Sequence, residues 1–308
     1  MSQELAITAL VPVGPRNIVG QMLQSFFGYA DHPEWLQVIL VHNIIWHTNV
    51  NPSYISLAGA RGLPIEDPRP YLTIRESVRQ VAKAFDHVQF IENNIDNPSV
   101  GHPVHFYRMI MHSVNYALDH VNTDWVFCLV EDDMFFSPHW DTAMRSAARD
   151  HRQVYVPLQA IPDPEQFLIT PESVWQHRNR YDFRYPGMQV REREWINYCK
   201  AGVRDSCPVE RADENLLGYS RPLLMRTDLF REMGGYRFSL DPNDESNELI
   251  ILQQLRSMGI QKGVVCGAFT MHHPPQVELD GELGAQRVTY SFLPYGTKHE
   301  SAAEMVGS

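Results

Sequence analysis

The chain has 308 residues, 44% hydrophobic and 20% charged, the make-up of a globular protein with one large core or one core with a sizeable insertion. Its formal charge of −11 argues against a protein that coats nucleic acid, and no run of about 18 uncharged apolar residues offers a transmembrane segment. Four cysteines without CxxC spacing argue against a disulfide framework or a zinc site, and the N-terminus has no basic leader, so a soluble, cytoplasmic protein is expected.

Leu5 to Val13 (LAITALVPV) predicts a buried first strand, stopped by Pro12 and Gly14-Pro15. Arg16 to Phe27 carries apolar residues at helical spacing, and Leu36 to Val41 predicts a second strand. Residues 42–70, rich in Asn, Pro and Gly, predict a long loop of the kind that is usually functional or mobile. A helix from Tyr71 to Phe85 and a short strand from Val88 to Ile91 follow. A Gly/Pro/Asn segment, Asn93 to Pro103, then leads into a helix ending near His120.

The next stretch carries the most chemistry. Six apolar residues, Trp125 to Val130, end in Glu131-Asp132-Asp133. Such a run reads as a strand buried on both faces. Carboxylates at its carboxyl end repel one another where ligands bind in open α/β sheets, which calls for a divalent cation carrying a phosphate-containing ligand. The plainer reading is a solvated acidic turn before a helix opened by Ser137-Pro138.

The alternation of strand and helix breaks near Asp150. Residues 150–215 predict an inserted lobe over the site, with arginines and aromatics interleaved from Trp175 to Arg211. The pattern returns with a strand at Pro222–Met225 and a helix capped by Thr227 and closed by Gly234-Gly235. A second helix, Glu245 to Met258, stops at Gly259, and a last strand, Val264 to Phe269, runs into Thr270-Met271-His272-His273-Pro274. The expected fold is α/β: one domain over 1–308 with a mainly parallel sheet flanked by helices, the lobe at 150–215, and a tail at 275–308.

The order of Val11-Pro12-Val13, Glu131-Asp132-Asp133, Gly234-Gly235-Tyr236, the helix from Glu248 to Gly259, and His272-His273 resembles that of the GT-A fold glycosyltransferases, in particular the family 2-like enzymes that use nucleotide sugars. The resemblance covers most of 5–143 and 218–274 and implies a Rossmann-like GT-A sheet. It implies a DXD-like motif binding Mn²⁺ or Mg²⁺, with Asp133 as ligand and Glu131 or Asp132 reaching the ion through water or the sugar–ribose side. His272 or His273 would complete the metal or diphosphate contact.

Glu248 falls where inverting relatives carry the general base; Asn247 precedes it in place of the usual acidic residue, and Asp244 and Glu245 are neighbours able to serve instead. Acidic residues at a helix start also stabilise the helix dipole without any catalytic role. Gly235 and Tyr236, with Asp244 and Glu245, are expected on the acceptor side. The nucleotide side is expected to use Pro12, Arg16, His42, Asn43, Asp132 and Arg108, with Gly101-His102 nearby; His42-Asn43 stands where relatives hold the base with an acidic residue.

The implied partners are a nucleotide-sugar donor and a hydroxyl-bearing acceptor. A saccharide or a hydroxylated DNA base both fit, the net charge weighing against DNA. Two other readings stand beside this one. A nucleotidyltransferase on a related sheet needs a longer, more basic loop than Gly14-Pro15-Arg16. A non-catalytic nucleotide- or sugar-binding protein would keep the fold and tolerate Asn247-Glu248.

Overall fold

The structure, a computed structural model, describes residues 6–13, 19–45, 76, 78–95, 105–129, 133–160, 199–203, 209–211, 222–238, 247–272, 279–280 and 285–286. It is a Rossmann-like α/β sheet with helices on both faces. Strand β1 (Ile7–Val13) is buried at every position. It pairs in parallel with β2 (Leu36–Ile45) on one side and β4 (Trp125–Cys128) on the other. Beyond β2 lies β3 (Val88–Ile95), also parallel.

The chain therefore builds β1, β2 and β3 in one direction, then returns to place β4 on the other side of β1. This reversal of strand order opens a crevice at the carboxyl ends of β1 and β4, where open α/β sheets bind ligands.

Past β4 the sheet becomes mixed. Its order is β3-β2-β1-β4-β8-β6-β9-β5, with β7 beside β9. Strands β6 (Gln153–Ala160) and β9 (Gln261–His272) are parallel to each other. Strand β8 (Leu223–Arg226) runs antiparallel to both β4 and β6. Strands β5 (Asp133–Phe136) and β7 (Val209–Arg211) run antiparallel to β9. Among the described residues a majority of strands, β1 to β4 with β6 and β9, point the same way.

The continuous apolar runs of the sequence follow from two hydrophobic clusters, one on each face. Ile7, Ala9, Val11 and Val13 face one cluster and Leu10 the other. Trp125, Phe127 and Leu129 alternate with Val126 and Cys128 in the same way. With alternate side chains pointing to opposite faces, a sheet covered on both sides needs apolar residues at every position. The first cluster is closed by α1 (Val19–Gly28), by residues 78–85, and by α3 (Trp140–Ala147). The second is closed by α2 (His105–Leu118), α4 (Thr227–Glu232) and α5 (Asn247–Ser257).

Several local expectations change. Residues 153–160 and 209–211, read as part of an inserted lobe, are strands of the main sheet, and β6 lies in its middle. Pro157 hides β6 in the sequence, because a proline in an apolar run argues against a central strand. The structure accommodates it at a break in register: Pro157 is opposite Val265, but Leu158 is opposite Phe269. Residues 161–198 lie outside the described residues. Ser137-Pro138 does not open a helix directly: β5 precedes it, and α3 starts at Trp140 after His139 in the left-handed region at φ 64°. Thr227 is the first residue of α4 rather than its cap. In the tail, Leu279–Asp280 and Ala285–Gln286 form a short antiparallel pair of their own, β10 and β11.

Candidate active site

Strand β5 is short, and it is held by the core at its far end. The Phe136 N–H donates to Ser25 Oγ at 2.6 Å. Its ring packs edge-on to Phe26 at 5.1 Å and against Trp140 at 5.0 Å. Ser137 bonds the Phe269 backbone twice, donating its N–H to the carbonyl at 2.9 Å and accepting the Phe269 N–H on Oγ at 3.0 Å. From this foot the strand climbs beside β9. Phe136 is opposite Thr270 and Phe135 opposite Met271; a bulge then leaves Asp133 opposite His272. Bulges of this kind are frequent beside active sites, where they re-aim a strand end.

Asp133 and His272 are placed here by their backbone. Their neighbours Glu131, Asp132 and His273 lie outside the described residues. Among the described residues no three His, Cys, Asp or Glu side chains converge on one point.

The Gly-Gly-aromatic turn is fixed from three sides. Gly234 and Gly235 have φ of 72° and 76°, a region other residues enter only at a cost. Asn115 of α2 receives the Tyr236 N–H on Oδ1 at 2.7 Å and donates Nδ2 to the Tyr236 carbonyl at 2.8 Å. Gln254 of α5 donates Nε2 to the carbonyls of Met233 at 3.0 Å and Gly235 at 2.8 Å, and accepts the Arg237 N–H at 2.9 Å. The Tyr236 ring lies 4.7 Å from that of Phe230.

Tyr236 is 2% exposed, so it is a core residue and not the acceptor contact expected from the sequence. Burial pushes the Cys128 thiol up to about 12, against a smaller opposing pull from Tyr236, so it stays a neutral thiol. Glu248 is the second residue of α5, placed by its backbone. Asp244 and Glu245 lie outside the described residues.

On the nucleotide side, strand β2 runs on to Ile45, so His42 and Asn43 are inside it rather than past its end. His42 is fully buried, opposite Val13 and Glu92, with its ring 6.1 Å from that of Phe90. A buried histidine inside a strand is not a base-reading group at a strand end. Pro12 is likewise buried within β1, opposite Val41. Asn43 and Arg108 are placed by backbone alone, on β2 and α2. Arg16, Gly101 and His102 lie outside the described residues.

Sequence reasoning missed Asn93, buried on β3, which donates Nδ2 to His112 Nδ1 at 2.9 Å. That bond leaves the proton of a neutral His112 on Nε2, and burial lowers its pKa, favouring the neutral ring. It also missed Asn115 and Gln254. The available signal for Gln254 was a polar residue among the apolar positions Ile251, Leu252 and Leu255 of α5.

No family model matches the sequence. No curated protein matches it either. Among solved structures, the crystal structure of S. aureus TarS 1-349 in complex with UDP is similar at 12% identity and a TM-score of 0.46, covering 86% of this chain. This chain spans 60% of that one. So low a score places no functional weight on the likeness. No helix among the described residues is long and apolar enough to cross a membrane.

Proposed function

We propose that the protein is a metal-dependent glycosyltransferase that moves a sugar from a nucleotide-sugar donor to an acceptor hydroxyl, with inversion at the anomeric carbon. The observation that carries this reading is the β5–β9 register. Asp133 and His272, the first from the acidic run after β4 and the second from the His272-His273 pair, stand opposite one another across β5 and β9. Directly opposed residues of an antiparallel pair are neighbours on one face of a sheet.

A carboxylate and an imidazole suit Mn²⁺, and the carboxylate alone suits Mg²⁺ with water filling the remaining positions. Asp133 and His272 would hold such an ion, with Glu131 or Asp132 beside them. When bound, it supplies neutralisation of the charge that develops on the departing diphosphate. Glu248, in the first turn of α5, takes the proton from the attacking hydroxyl. The ends of β1, β2 and β3 receive the nucleoside.

The test is release of nucleoside diphosphate from a panel of UDP-, GDP-, CDP- and dTDP-sugars with Mn²⁺, with the anomeric configuration of the product followed by NMR. Metal-dependent release from one donor, abolished by EDTA and restored by Mn²⁺, is the expected result. Absence of metal-dependent release from every donor overturns the reading.

A further inference from the structure

Gln254 makes three backbone bonds, to Met233, Gly235 and Arg237, all within the turn that precedes the connection to α5. Yet Gln254 itself stands beyond that connection, in the second half of α5. One side chain thus joins the two ends of the segment 238–253, which includes Glu248. The other side of the turn is tied by Asn115 to α2, and α2 packs on β1 and β2. Both amide side chains use donor and acceptor together, so neither is replaced by a hydrophobe of the same shape without loss. The Gln254 side chain is 1% exposed, where hydrogen bonds are not exchanged for water at no cost.

We infer that Gln254, backed by Asn115, is a positioning residue for the transfer step: it closes the base of the 238–253 segment and so fixes the start of α5 against the sheet. The inference rests on the glycosyltransferase reading through Glu248, six residues and about 9 Å up the helix axis. A closed loop has fewer conformations to lose when the catalytic geometry forms, and small displacements of a general base cost rate steeply. Donor binding draws on the crevice at β1 to β4 and is not closed by this bond set. The consequence is a loss in kcat with donor KM unchanged.

Two variants test it. Gln254→Leu removes all three bonds with little change of shape. Gln254→Glu keeps an acceptor for Arg237 but turns a carboxylate oxygen towards the Met233 and Gly235 carbonyls. Burial raises the pKa of that introduced carboxyl, and protonation restores one donor. Expected for Gln254→Leu is a kcat at least tenfold lower with donor KM within twofold, and at least tenfold faster hydrogen exchange at the Tyr236 and Arg237 amides. For Gln254→Glu, kcat relative to wild type rises as pH is lowered from 8 to 5.5.

Unchanged kcat, a rise in donor KM in place of the kcat loss, a flat Gln254→Glu ratio across that range, or unchanged exchange in Gln254→Leu overturns the inference. The wild-type donor panel is run alongside. If no donor turns over, the functional reading fails, and the exchange data alone then decide whether Gln254 locks the turn.

Discussion

Asp133 and His272 stand 139 residues apart in the chain, yet they are direct register partners across β5 and β9. A single unmatched step between Asp133 and Phe135 creates this pairing. The strand below it is fixed by Ser25 and Ser137, so the position of Asp133 is set by the core rather than by a free loop.

Replacing Asp133 with Ala is expected to lower metal-dependent turnover at least 100-fold, and His272→Ala by a smaller factor, about tenfold, because a neutral nitrogen ligand contributes less charge. Thermal shift with Mn²⁺ and a nucleoside diphosphate gives a parallel readout, since a ligand that binds the folded state raises stability. An Asp133→Ala protein that turns over its donor as fast as the parent would rule out the metal assignment.

Glu248→Gln is expected to lower kcat by about 10²–10⁴-fold with donor binding retained, the range for loss of a general base. Steady-state kinetics alongside nucleotide binding separates the two effects. Full activity in this variant would move the base to Asp244 or Glu245.

The two glycines of the turn are expected to differ. Gly234→Ala meets open space and costs only the left-handed backbone penalty, roughly 1–2 kcal/mol. A Cβ on Gly235 lies 2.5 Å from Asn115 Oδ1, so Gly235→Ala carries the same penalty and also displaces the clamp. Urea unfolding of the two variants measures the difference; equal losses would contradict the account of Asn115.

Away from the site, Asp141 supports the packing of α1 against α3. Its buried carboxylate accepts the N–H groups of Asp31 at 2.8 Å and His32 at 3.1 Å and pairs with Arg145 at 2.6 Å. Asp141→Ala strands a largely buried guanidinium and two backbone donors and is expected to cost about 3–5 kcal/mol. Denaturant unfolding checks it, and a loss below about 1 kcal/mol would mean that water replaces the carboxylate without difficulty.

The sequence by itself determined one half of the sheet. Strands β1, β2 and β4 were legible because burial on both faces demands apolar residues at every position, and helices α1, α2 and α5 because their apolar spacing needs no partner to be seen. It also put Asp133 forward from the acidic run, and the resemblance put forward the pair His272-His273 and Glu248, as candidates.

Tertiary structure alone decided the rest. Pro157 masked β6 until a register break in β9 made room for it. Tyr236 was expected on the acceptor side, and only its ring packing on Phe230 and the hold of Asn115 on its backbone place it in the core. His42 looked like the end of a strand that in fact continues to Ile45 beside β3. Each of these depends on a partner distant in sequence, and a hydrogen bond or a register is a property of two segments that neither carries alone.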